Sequence, residues 1–156
     1  YATHQIANYS ANSRAPHGKA ILYLVRYLKK PRDLGLKFKP DPSKSIENYV
    51  DSDFVGNWNP KFTEDDPSTA KSCSAWVVFY AGCPIMWASK LQSQVALSTT
   101  EAKYIALSQV LSGVIPVMFL LAEMRAKGFS IIDMALHINY KCFEDNVHPL
   151  RWFIFI

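Results

Sequence analysis

Asp51 and Asp53 sit in the run Tyr49-Val50-Asp51-Ser52-Asp53-Phe54-Val55-Gly56, where a short apolar strand pattern ends and a glycine turn follows. Carboxylates at a strand end are candidate ligands for hard cations, and further acids occur downstream at Glu101 and Asp145. Three carboxylates brought to one point need cations between them. Oxygen ligands with open positions suit Mg2+ or Mn2+, which keep several waters and bind phosphate oxygens. Two such ions about 3.5–4 Å apart activate a water and stabilise the leaving oxygen of a phosphodiester, which is nuclease chemistry.

The elements that would position these acids are legible from pattern. Ile46 to Phe54 is expected as a first strand. Ser74 to Ala81 (Ser-Ala-Trp-Val-Val-Phe-Tyr-Ala) is rich in β-branched and aromatic residues and carries the strongest strand signal. Pro84 to Ser89 follows as a third strand after the Gly82 turn, so the three form an antiparallel meander. Ser98-Thr99-Thr100-Glu101 is a capping box, in which Ser98 caps the N3 amide while Glu101 reaches back, a structural role of ~1 kcal/mol. The helix it opens is expected to end near Gly113, and Pro116 to begin a second one closed by Lys127 and Gly128. A fourth strand over Leu136–Phe143 would end at Glu144-Asp145-Asn146. The order βββαα then β predicts an α/β fold with a mixed sheet, in which the first and fourth strands lie side by side.

Upstream, Pro16 opens a helix to about Lys30 with Ile21, Leu24, Val25 and Leu28 at i, i+3, i+4 and i+7. Gly35-Leu36-Lys37-Phe38-Lys39 alternates like a short strand, and Pro40-Asp41-Pro42 begins a linker. The domain organisation is therefore 1–45, a helix plus short strand; 46–146, the sheet domain; and 147–156, a tail that fits neither.

At 156 residues with 49% hydrophobic and 13% aromatic side chains, the chain has enough material for one folded domain and an attached segment. It starts on Tyr1 and ends on the apolar run Trp152-Phe153-Ile154-Phe155-Ile156, so it is expected to be a fragment. The net charge of +4 is modest, but Lys19, Arg26, Lys29, Lys30, Arg32, Lys37 and Lys39 crowd the first 40 residues against the single acid Asp33. Two readings stay open for this cluster: a solvated face of an amphipathic helix, or a basic helix lying along a nucleic-acid backbone. Cys73, Cys83 and Cys142 are odd in number and lack zinc spacing, so they are expected as buried thiols in a reducing compartment. No membrane span and no secretory signal is expected.

These residues and their order resemble the ribonuclease H (RNase H) domain at the end of the polymerase (Pol) polyprotein of copia-type retrotransposons. Residues 49–56 are similar to its first-strand motif Tyr-x-Asp-Ala-Asp-Trp/Phe-x-Gly, and Ser72 to Phe79 to its Ser-x-Ser-Gly-Tyr/Trp-Val-x-Phe strand. Ile85 to Gln92 resembles Ile-x-Trp-x-Ser-Lys-x-Gln; Leu97 to Leu107 resembles Leu-Ser-Thr-Thr-Glu-Ala-Glu-Tyr-Ile-Ala-Leu; and residues 143–146 resemble Tyr/Phe-Glu-Asp-Asn. Ala20 to Phe38 looks like the segment that joins the reverse transcriptase to this domain. The resemblance implies an RNase H-like fold and two-metal (Mg2+ or Mn2+) cleavage of RNA in an RNA/DNA hybrid. It implies as partners that hybrid and the reverse transcriptase portion of the same polyprotein, and an intracellular setting, in a cytoplasmic virus-like particle or the nucleus. Carried over, Asp51 would bridge both metals, Asp145 would be the fourth-strand acid with Asn146 its usual neighbour, and Asp53 would be a peripheral acid. Lys19, Arg26, Lys29, Lys30 and Arg32 would contact the hybrid.

The sequence departs from the pattern twice. The family carries Glu-x-Glu at the helix start, the second Glu being catalytic, and here that second position is Lys103. Glu101 is then the remaining candidate helix ligand, already explained by the cap, and an ammonium at 103 repels the cations the site must gather. After Asn146 the family's closing helix, His-containing loop and final acid are not recognisable in Val147 to Ile156, and His148 is expected to be a loop residue. The expectation is a retrotransposon polyprotein fragment with impaired hybrid-cleaving activity. The alternatives are a silent RNase H-fold nucleic-acid-binding module or a relic without function.

Overall fold

The computed structural model describes residues 2–7, 9–30, 34–56, 58, 60, 67–131, 140–144 and 147–152, which divide into two units, Tyr1–Phe38 and Lys39–Ile156. The first unit holds helix α1 (Ala2–Ala7) and helix α2 (Ala15–Lys29). His17 Nδ1 accepts the amide N–H of Arg14 at 3.0 Å and its ring stacks on Tyr9 at 4.1 Å, so an imidazole closes the start of α2. Helix α2 has no buried residue, and Ile21, Val25 and Leu28 on its apolar stripe are exposed. The alternating residues 35–39 do not form the expected strand: residues 34–41 adopt neither helix nor strand, and Leu36 and Phe38 are exposed. Period-two alternation makes a strand only where another edge supplies hydrogen bonds.

The second unit is a five-stranded mixed sheet in the order β3-β2-β1-β4-β5, made of β1 (Ile46–Asp53), β2 (Cys73–Tyr80), β3 (Cys83–Leu91), β4 (Tyr140–Glu144) and β5 (Val147–Trp152). The first three strands are the expected antiparallel meander, and β1 pairs with β4 in parallel, Ile46 opposite Tyr140 and Tyr49 opposite Phe143. This is the open α/β sheet of RNase H-like topology, with an altered C-terminus. In the tail, Val147–Trp152 turns back as β5, antiparallel to β4. Of the expected strand over Leu136–Phe143, residues 136–139 lie outside the described residues, and Tyr140–Glu144 forms β4.

One helix, α3 (Thr99–Ala126), replaces the two expected. Gly113 was taken for a stop, but a Cβ there would lie 3.1 Å from Met86 Cε of β3, so the glycine marks a close approach of helix to sheet. Pro116 is exposed, as is Ser112, whose carbonyl the proline cannot serve, so water can satisfy that oxygen and the helix runs on. The expected stop at the far end is found: Gly128 has φ +85 and donates to Arg125 O.

Ala102, Ala106, Val110, Val114 and Met118 recur every four residues and form a fully buried stripe against Ile46, Val50 and Val78. Their burial is the main stabilisation of this layer, at ~25 cal/mol per Å² removed from water. In length and composition α3 would suffice to cross a membrane, although the sequence was expected to hold no such span. Its buried stripe covers the sheet, while Ile115, Phe119 and Leu120 are exposed. On the other face of the sheet, Tyr49, Val77 and Trp87 stand in one cross-strand row, with Tyr49 and Trp87 exposed.

Candidate active site

Strand β1 ends in an acidic corner built by local geometry. Residues 46, 48 and 50 point into the core, so Asp51 and Asp53 point to the opposite, open face and are exposed. Asp51 Oδ1 accepts the N–H of Ser52 at 2.8 Å. The chain then turns at Phe54–Gly56, where Val55 takes φ +52, a conformation that costs a β-branched residue strain, and its N–H donates to Ser72 Oγ at 3.3 Å. The Asp53 carboxylate lies over Gly56 in the space a Cβ would need. The acid two residues after Asp51 and the glycine of the turn are thus one packing unit.

Helix α3 starts on the other face of the sheet, the one that Ile46 and Val50 cover. Ser98 Oγ accepts the Glu101 N–H at 3.1 Å, as the capping box predicts. Glu101 Oε2 reaches back to the amide of Leu97 at 2.7 Å, one residue further out than the usual partner, which would be Ser98 itself. At about 100° per residue, Glu101 and Lys103 are turned some 200° apart on α3. Lys103 is half-buried at the flank of the stripe that holds Ala102 and Ala106, whereas Glu101 is exposed.

The amide of Gln92, just past β3, joins the core face of the sheet to α3. Its Nε2 donates to Ser74 Oγ at 2.9 Å and to the Ala102 carbonyl at 2.8 Å, while its own N–H donates to Ser72 O at 2.8 Å. Gln92, Ser74 and Ala102 are all about 99–100% buried. The sequence motif contained Gln92 and assigned it nothing; a long polar side chain closing an apolar strand pattern was the available signal.

Of the acids expected to converge, Asp51 lies on the open face of β1 and Glu101 on the outward face of α3; Asp145 and Asn146 lie outside the described residues. Among the described residues no three of His, Cys, Asp and Glu are grouped so as to hold a metal ion.

In the first unit Lys19, Arg26, Lys29 and Lys30 are exposed along α2, with Arg26 over the ring of Tyr23 at 5.9 Å; Arg32 lies outside the described residues. Residues 1–38 contain seven Lys or Arg against one acid, while residues 39–156 contain ten against twelve. The basic character of the chain belongs to its first unit.

The chain is 33% identical over 110 residues, 70% of its length, to the retrovirus-related Pol polyprotein from transposon TNT 1-94 of Nicotiana tabacum. It is 32% identical over 104 residues to the retrovirus-related Pol polyprotein from transposon RE2 of Arabidopsis thaliana. The matches span only 8% and 6% of those two polyproteins. A third relative, the secreted RxLR effector protein 161 of Plasmopara viticola, is 29% identical over 104 residues, 67% of either chain. No family model and no solved structure matches the chain. The chain thus has partial homology to retrotransposon Pol polyproteins.

Proposed function

We propose that the chain is a segment of a copia-type Pol polyprotein, and that residues 46–146 are an RNase H-type endonuclease unit for RNA/DNA hybrids whose catalytic site is impaired. The observation that carries this reading is the pair Glu101 and Lys103. The carboxylate that remains is turned outward onto the Leu97 amide, and residue 103, half-buried beside the core stripe of α3, is a cation. The RNase H-like strand order and the partial homology to Pol polyproteins support the class. A site that concentrates positive charge where Mg2+ or Mn2+ must collect opposes their binding.

The second reading, a silent nucleic-acid-binding module, is favoured by the basic, acid-poor first unit with its exposed Lys19, Arg26, Lys29 and Lys30. In either reading the reverse transcriptase portion of the polyprotein is the natural protein partner of that unit and the setting is intracellular.

The test is cleavage of a labelled RNA/DNA hybrid in Mg2+ or Mn2+ by the parent chain, Lys103→Glu and Asp51→Asn. Cleavage by Lys103→Glu alone supports an endonuclease silenced by one substitution. A parent that cuts, and loses activity on Asp51→Asn, shows that Lys103 does not disable the site. If none cuts but the parent binds the hybrid with a steep salt dependence, the binding module replaces the enzyme.

A further inference from the structure

Gln92 hydrogen-bonds both the sheet and the first turn of α3 with one amide group. The direction of those bonds is fixed by chemistry. The carbonyl of Ala102 can only accept, so the amide nitrogen must face it, and the second N–H of the same group goes to Ser74 Oγ. Gln92 Oε1 is left buried without a hydrogen-bond partner. The side chain is therefore placed for its two donors at the expense of its acceptor.

The apolar contacts of this turn do not supply the same information. Ala102 and Ala106 are the smallest members of the buried stripe, so they let the helix approach closely while resisting rotation or sliding weakly. A directional bond to the Ala102 carbonyl supplies what they lack. Its other end is Ser74, paired across the sheet with Ser52, the residue after Asp51.

We propose that Gln92 is a positioning residue, a two-donor clamp that sets the first turn of α3, and residue 103 with it, against the β1–β2 pair carrying Asp51. The functional part of this inference rests on the endonuclease reading, in which residues 51 and 103 belong to one site. The clamp itself does not.

The test is amide hydrogen exchange at Glu101 and Ala102, in the full chain without metal or nucleic acid, for the parent, Gln92→Met and Gln92→Glu. Gln92→Met keeps the bulk and removes both donors; exchange at the two amides should rise about tenfold or more over the parent at every pH, with the last turn of α3 unchanged. Gln92→Glu turns a donor into an acceptor against a carbonyl, and a proton on the introduced carboxyl restores one donor. Burial raises that carboxyl's pKa, so its exchange should match the parent most closely near pH 4.5 and depart from it towards roughly pH 7.5. Should Gln92→Glu fail to fold, Ser74→Ala removes one acceptor and should give a smaller rise at the same amides. Parent-like exchange in Gln92→Met, or a Gln92→Glu difference that ignores pH, would reduce Gln92 to core filling. If the clamp holds but Lys103→Glu never cuts a hybrid, the endonuclease reading fails and the clamp stands.

Discussion

Asp53 covers Gly56 so closely that a methyl group on residue 56 would collide with its carboxylate. Gly56→Ala therefore forces Asp53 out of its rotamer, at about 0.5–1.5 kcal/mol. The stiffer unfolded chain offsets about 0.4–1 kcal/mol of this. The expected net effect is a small destabilisation in the parent and a small stabilisation in an Asp53→Ala background. Urea unfolding of the four chains measures the coupling, and strict additivity would remove the contact from the account.

The Ser98–Glu101 cap should behave as a structural device with no cation present. Ser98→Ala is expected to cost about 1 kcal/mol. Glu101→Gln keeps an acceptor for the Leu97 amide and loses the negative charge at the helix start, so it should cost less than Glu101→Ala, within about 0.3–1 kcal/mol. Thermal melts in EDTA check the order. Equal losses for the two Glu101 variants would assign the effect to charge alone.

Asp41, at the entry to the sheet unit, accepts the Ser43 hydroxyl at 2.6 Å and the Ser43 amide at 3.0 Å. Those two bonds, then the charge of Lys44, hold its carboxyl below the usual carboxylate value. A depressed folded value contributes stability above the unfolded pKa, and that contribution is lost as pH falls through the folded one, here from about pH 4 downward. Carbon-detected titration of Asp41 should show the midpoint rising in Ser43→Ala. An unmoved midpoint would mean that the hydroxyl is not the cause.

The parts of this fold readable from sequence are those where local chemistry and global position agree. The β1–β3 meander announced itself through its β-branched and aromatic runs and the Gly82 turn, the start of α3 through Ser98 and Glu101, and its end through Gly128. The misreadings share a cause. Gly113 and Pro116 look like punctuation along the chain, and only the position of Met86 and the exposure of Ser112 explain why α3 passes through both. The strand β5 was invisible because its partner β4, not its own composition, organises it. At the site, the sequence named Glu101 and Lys103 but could not say which is nearer the core. Buried Ala102 and Ala106 decide that, and alanines carry little pattern of their own.

The parallel pairing of β1 with β4 has a consequence for how the protein is made. Strand β1 is central, yet its second neighbour comes from residues 140–144, after the meander and all of α3. At ~5–20 residues per second, the ribosome leaves the outer edge of β1 without that neighbour for several seconds. During that interval the backbone groups of Ile46–Tyr49 can pair with any passing strand. A polypeptide terminated before Tyr140 keeps the edge open for its lifetime, so premature stops in this chain should yield self-associating products, while the completed sheet is sealed on both sides of its central strand.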